Sequence, residues 1–430
     1  MHILILSHYW PPEIGASSHL TYELGETLVQ LGNQVTVVTG MPSYNVNTIS
    51  ERYRGRFTFE EEMAGMRVLR VRTGSVHSRS ALRRGVEHLL VGPLYAWRAG
   101  GLRRVDVVYT VSPPLMMGLA SWLTAWRHRT QCCLSVQDLF PQNAVDLGLM
   151  KNKMAIVFFE ALERLAYQAA GAVVVHSEGN RAHIVAKGKP ADQVHSLPNW
   201  VDTNVIRPAE RHNDFRREHH LQQEFIVSFA GAMGWSQGLE VVIEAARLLA
   251  REPNLLFLLI GGGTQRERLG RLAEGLPNVR FLPMQSQEKY PSVLAASDAC
   301  LVTLRPEVAT PVVPSKLLTI MSAGRPVLAS VPLAGDALRI VNDAACGFVV
   351  PPGDAQALAE AVLCLKRDSG ATREKAENGR KWAERHFSRA ACIRQFESLF
   401  RSLSRRPEQQ AARVAAISEE VNLDGPPQTL

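Results

Sequence analysis

The feature that most constrains this chain is a rhythm of short apolar runs, each followed by a loop and a helical pattern, that occurs twice. In the first half the runs are His2–Ser7, Gln34–Thr39, Met66–Val71, Val105–Thr110, Gln131–Val136 and Ala172–His176, with helical periodicity to about Leu31 and near 82–100, 115–127, 154–170 and 179–188. Runs that are apolar on both faces suit strands buried inside a parallel sheet, and their alternation with helices argues an α/β doubly wound architecture. Leu197-Pro198-Asn199-Trp200-Val201-Asp202 closes this half, and the polar stretch Arg207–Glu224 is read as the connection between domains. The rhythm then restarts with Phe225–Ala230, Leu255–Ile260, Asn278–Leu282, Ala299–Leu304, Val327–Ala329 and Gly347–Val350, and helices near 372–385 and 389–404 finish it. A chain of 430 residues accommodates two such units. The expected domains are 1–202 and 203–385, with a helix at 386–404 returning to the first domain and a mobile tail at 405–430.

In open parallel sheets ligands bind beyond the carboxyl ends of the strands. Chemistry is therefore expected on the loops His8–Ala16, Gln137–Asn143 and Ser177–Asn180, and on Gly231–Gly238 and Gly261-Gly262-Gly263-Thr264. The Gly-rich turns allow backbone N–H groups to approach phosphates or a ribose. The stretch Val313–Ala329 predicts a loop, a short helix opened by Pro314 and capped by Ser315, a Gly324 stop and a strand. Lys316 falls in the first helical turn, where free N–H groups and the positive end of the helix favour an anion, and is a candidate for holding a diphosphate. No GxGxxG, GxxxxGK[ST] or DxD triplet occurs, which argues against a dehydrogenase, a P-loop NTPase and a metal-dependent transferase. The six cysteines have no CxxC spacing and are expected to be reduced, with no metal site. The amino terminus lacks a basic leader, and no apolar run reaches spanning length.

Seven pieces in order resemble family 4 glycosyltransferases of the two-domain GT-B type. They are Pro11-Pro12-Glu13-Ile14-Gly15-Ala16, Gln137-Asp138-Leu139-Phe140-Pro141, Leu197–Asp202, Gly231–Gly238, Ile260-Gly261-Gly262-Gly263, Ser322-Ala323-Gly324-Arg325-Pro326-Val327 and Pro351-Pro352-Gly353-Asp354. The sequence is most similar to the subgroup of colanic acid and exopolysaccharide glycosyltransferases. The resemblance implies two Rossmann-like domains facing a cleft, a UDP- or GDP-linked sugar as donor, and retaining, metal-independent transfer with no other cofactor. It implies donor contacts from Gly234, Ser236, Gln237, Gly238, Gly261, Gly262, Ser315 and Thr319, and acceptor-side contacts from Glu13, Gly15, Ala16 and Asn199. Asp138 is expected at the cleft as a catalytic residue with Lys316. The sequence also departs from the family. The two Glu that lie eight positions apart in the family fall here on Pro311 and Thr319, and the Arg and Lys of its Gly-rich turn on Ala232 and Gln237. Lys316 is the expected substitute cation, with Arg305 or Arg325, and Glu307 the expected ribose contact. A nucleotide-sugar epimerase and a non-catalytic partner in an assembly complex are the alternatives.

The net charge of +7 is uneven: residues 67–104 hold nine Arg and one acid, Glu87. With no nucleic-acid motif beside it, this basic segment predicts docking on an anionic membrane through Arg79–Arg104, using Leu82, Val86, Leu89, Leu90, Pro93, Tyr95 and Trp97 as apolar and headgroup contacts. The expected setting is cytoplasmic, on the inner membrane face, with a lipid-linked oligosaccharide as acceptor.

Overall fold

A computed structural model describes residues 1–13, 15–42, 51–73, 91–146, 148, 150–221, 224–308, 313–333 and 335–404. The tail, Pro311 and the segment from Arg79 to Leu90 lie outside the described residues. The first sheet has eight strands in the order β3-β4-β2-β1-β5-β6-β7-β8. These are β1 (His2–Ser7), β2 (Gln34–Gly40), β3 (Thr58–Met63), β4 (Met66–Val71), β5 (Val107–Ser112), β6 (Gln131–Val136), β7 (Ala172–Val175) and β8 (Val194–Ser196). All pairs are parallel except β3 with β4. The helices are α1 (Ala16–Gln30), α2 (91–99), α3 (Met116–His128), α4 (Gln142–Asp146), α5 (Lys153–Ala169) and α6 (Glu178–Ala186). Strand pleating divides β1 between two cores. Leu4 and Leu6 face the cluster built by α2, α3, α5 and α6, while Ile3 and Ile5 face α1 on the other side.

The second sheet runs β11-β10-β9-β12-β13-β14 and is wholly parallel. Its strands are β9 (Phe225–Ala230), β10 (Leu255–Ile260), β11 (Val279–Leu282), β12 (Ala299–Thr303), β13 (Val327–Ser330) and β14 (Gly347–Val350). Helices α7 (Asp214–Glu218), α8 (Glu240–Leu248), α9 (Arg266–Leu272), α10 (Tyr290–Ala296), α11 (Ser315–Ser322), α12 (Asp336–Asp343), α13 (Ala355–Arg367) and α14 (Ser369–His386) cover it. The final helix, α15 (Arg389–Ser404), leaves this domain and inserts Phe396 and Phe400 into the first domain's core, beside Tyr109 and Trp200. Arg389 anchors its start, donating from Nε to the Thr27 hydroxyl at 2.8 Å and pairing with Glu26.

Two sequence expectations change here. The polar stretch Arg207–Glu224 is not a free linker. Phe215 and Leu221 pack in the second domain's core, and the fully buried Arg216 pairs with Asp298 at 2.7 Å. The chain crosses between domains just before it, where Val201 N–H donates to the Phe387 carbonyl at 2.9 Å and Arg389 N–H to the Val201 carbonyl at 3.1 Å. The outgoing and returning crossings are thus bonded side by side. The hairpin strand β3 was not among the strands expected from sequence, and it carries three consecutive carboxylates, Glu60, Glu61 and Glu62. Arg67 and the buried Arg70 on β4 each meet one of these carboxylates at 2.5 Å.

Candidate functional site

In each sheet the strand order reverses beside one strand, β1 in the first and β9 in the second, which opens a crevice at the carboxyl ends. The loop after β9 holds the donor-side candidates. Gly231 N–H donates to the Ile260 carbonyl at 2.9 Å, Met233 N–H to the Gly262 carbonyl at 2.7 Å, and Gly261 N–H to the Leu282 carbonyl at 3.0 Å. Gly261, at φ +147°, has no room for a side chain: a Cβ would lie 1.9 Å from the Gly231 oxygen. These three amides tie the two Gly-rich turns to each other and to the sheet. Gly234 begins a 3-10 turn, Trp235–Gln237, which contains Ser236 and Gln237 and ends at Gly238 in the left-handed region.

Lys316 enters this nest from α11. A Cβ on Gly231 would meet its Cε at 2.5 Å, so the side chain lies directly against this glycine. Its Nζ sits 4.9 Å over the Phe229 ring and donates to the Gln237 Oε1 at 3.2 Å. Burial alone pushes its pKa below the ordinary Lys value. A cation held so, with no carboxylate ion-paired to it among the described residues, is arranged to receive an anion. The start of α11 corrects one expectation. Pro314 occupies the cap position without a side-chain cap, and Ser315 is the exposed first residue of the helix. Pro314 thus offers the first-turn N–H groups no side-chain acceptor.

The other expected donor contacts fare differently. Arg305 is stacked 4.7 Å over Trp235, donates to the Trp235 carbonyl at 2.7 Å and pairs with Glu240. Arg325 donates from one Nη to the Ala209 carbonyl at 2.9 Å, while its Nε is buried without a hydrogen-bond partner among the described residues. Arg305 is thus committed to internal acceptors. The Thr319 hydroxyl donates to the Lys316 carbonyl at 3.0 Å and meets the Tyr290 hydroxyl at 3.1 Å. Its place in the helix is structural, whereas Glu307 is exposed on the loop after β12.

On the first domain, Glu13 is turned inward. Its Oε2 accepts from the Trp10 N–H at 3.3 Å, its own N–H donates to the Trp10 carbonyl at 3.1 Å, and only 8% of its surface is exposed. It braces the loop from an almost fully buried position, which leaves little of its surface for the acceptor contact expected of it. Gly15 is exposed at the start of α1, of which Ala16 is the first residue. Asn199 donates to the Gln137 Oε1 at 2.9 Å and so fixes the end of β6 to the segment that crosses to the second domain. Asp138 follows β6 and reaches solvent, yet the protein around it raises its carboxyl above the ordinary Asp range, partly offset by nearby His176. His176, at the end of β7, is held below the ordinary His pKa by burial, against the pull of Asp138 and of Asp336 from the other domain. Asp336 is a residue that sequence reasoning missed. It opens α12, pairs with Arg339 at 2.6 Å and accepts from the Gly179 N–H of α6 at 3.0 Å, which bridges the two domains. Gly335-Asp336 before an amphipathic run was the available signal.

Two domain models match the two halves: a glycosyl transferase 4-like domain over residues 15–200 and glycosyl transferases group 1 over residues 224–368. The chain belongs to the group 1, family 4-like glycosyltransferases. A curated relative, "Putative colanic acid biosynthesis glycosyl transferase WcaI" of Escherichia coli K12, is 29% identical over 335 residues, covering 75% of this chain and 82% of the relative. Among solved structures, a sucrose-phosphate synthase from Thermosynechococcus elongatus superposes with a TM-score of 0.72 at 21% identity, over 94% of this chain and 99% of that one. Anabaena HepE in complex with UDP gives 0.70 at 18% identity, over 94% and 100%. These likenesses establish the GT-B fold. No described helix of this glycosyltransferase is long and apolar enough to cross a membrane.

Proposed function

We propose that this glycosyltransferase moves a sugar from a nucleotide diphosphate sugar, UDP- or GDP-linked, to a saccharide carried on a lipid, as a step in building a surface polysaccharide at the cytoplasmic face of the membrane. The observation that carries this reading is Lys316: a half-buried cation without an ion-pair partner among the described residues, bedded against Gly231 in the first turn of α11. Breaking the glycosidic bond develops an oxocarbenium-like centre and a departing diphosphate, and a preorganised cation aimed at that charge lowers the barrier. The exopolysaccharide assignment is supported by the relative from Escherichia coli and by the ordered motifs. In this reading the transfer retains anomeric configuration and needs neither metal nor further cofactor. Asp138, at the edge of the first sheet, contacts the acceptor or the transferred sugar.

The test is a donor screen. UDP- and GDP-sugars are incubated with the protein, released nucleoside diphosphate is measured, and the anomeric configuration of the product is read by NMR. Release from one donor class, with a retained product, supports the proposal. Titration with UDP and GDP separates the alternatives: a non-catalytic partner binds neither, and an epimerase changes the sugar without releasing the nucleotide.

A further inference from the structure

We propose that the α3–α5 face of the first domain docks on an anionic lipid surface. Helices that merely cover a sheet present polar outer faces. Here α3 exposes Trp122 and Trp126, one turn apart, at 47% and 69%. Beside it, α5 exposes Met154, Phe158 and Leu165 along one stripe, at 84%, 59% and 54%. An open, nearly all-apolar groove of about 610 Å³ lies between them, walled by Leu119, Leu123 and Pro93. Contiguous exposed apolar surface of this kind marks an interaction site.

Charge selects the partner. No acid occurs between Asp106 and Asp138, and Arg127, Arg129, Lys151, Lys153 and Arg164 are all exposed on or beside these two helices. The carboxylates that α5 does carry, Glu160 and Glu163, are drawn to Lys187 at 3.7 and 2.6 Å. Tryptophan rings among apolar side chains with a cationic rim match the layered chemistry of an anionic bilayer surface. The face also adjoins the candidate site. Phe140, two residues after Asp138, packs on Phe159 of α5 with ring centres 5.2 Å apart.

This face differs from the segment Arg79–Arg104 expected from sequence, whose residues up to Leu90 lie outside the described residues. Of the remainder, Tyr95 is fully buried in the core and Arg98 leans on Glu60 at 3.6 Å, while Trp97 stays 59% exposed beside Phe57. The inference deepens the reading of a lipid-carried acceptor and rests on it for its purpose, but its test needs no turnover.

The experiment is sedimentation with vesicles of equal parts phosphatidylglycerol and phosphatidylcholine, against phosphatidylcholine alone. The full chain is compared with the pairs Trp122→Ser/Trp126→Ser and Lys151→Glu/Lys153→Glu, each first checked for an unchanged thermal midpoint. Expected are binding to the anionic vesicles that weakens with salt and a loss of about tenfold or more in each pair. No sedimentation at low salt overturns the proposal, as does binding that survives both pairs. A concentration-dependent dimer that the Trp pair abolishes, without vesicle binding, assigns the face to a second copy instead. Docking without donor cleavage would sink the transferase reading alone, and cleavage without docking would sink this one alone.

Discussion

Replacing Lys316 by Met should move activity and stability in opposite directions. The ammonium lies over Phe229 and against Gln237, with no carboxylate ion-paired to it among the described residues, and in the proposed reaction the nucleotide's diphosphate supplies its counter-charge. Losing one preorganised donor at developing negative charge costs about 2.7–4 kcal/mol, a drop of roughly 10²–10³ in kcat. In the empty protein the sign reverses. Burial lowers the Lys316 pKa, so over the range below the ordinary Lys value of 10.5 the unfolded chain holds a proton that the folded chain has begun to release. Stability attributable to this group therefore rises with pH towards 10.5, and at neutral pH the buried charge is a cost. Met keeps an unbranched apolar chain, one atom shorter, while removing that cost. The expected result is a thermal midpoint equal to or above wild type, a flatter rise of stability on the alkaline side, and nucleoside diphosphate release reduced by about 10²–10³. Turnover within about threefold of wild type in the folded variant would refute the assignment. A midpoint that falls along with turnover would make Lys316 a structural member of the turn.

Four further outcomes are expected. Gly261→Ala forces a Cβ to within 1.9 Å of the Gly231 oxygen and should destabilise the second domain by roughly 2 kcal/mol or more in urea unfolding. Asp138→Asn should lower transfer by on the order of 10² while leaving stability at neutral pH equal or higher. The sign follows from its raised carboxyl pKa, which makes the ionised form a cost to the fold once pH exceeds the ordinary Asp range. His176 is held below its ordinary value of 6.5, so the unfolded chain takes the proton first and stability falls as pH drops through that value; His176→Gln should flatten this fall in acid titrations followed by circular dichroism. Phe396→Ala should cost about 3–5 kcal/mol and show earliest as proteolytic cutting of the first domain.

The strands were legible because parallel sheets bury both faces: β1, β6, β9 and β10 were readable as apolar runs almost to the residue. The helix that carries Lys316 was legible because helix starts announce themselves through Pro and a following apolar stripe. What the sequence hid was decided by pairing at a distance. Glu13 looks like a loop carboxylate until the Trp10 amide claims it, and Arg305 looks like a spare cation until Glu240 and Trp235 do. Asp336 and His176 belong to the same class, since their meeting depends on how two domains face each other. The basic segment 67–104 read as free charge, but Arg67, Arg70 and Arg98 have carboxylate partners on β3 that only the hairpin brings near.

The return of α15 to the first domain has a consequence in time. A ribosome makes the first 202 residues long before it makes Phe396 and Phe400, yet the apolar ground around Tyr109 and Trp200 stays uncovered until those two rings arrive. The second domain, contiguous from 203 to the end of α14, has its whole sheet and helical cover in hand first. The domain synthesised earlier is thus the one completed last, and its final core piece is delivered by an already assembled neighbour. A nascent chain stalled before residue 389 would hold a finished half and an open one, and the open half is where a chaperone would find exposed apolar surface to bind.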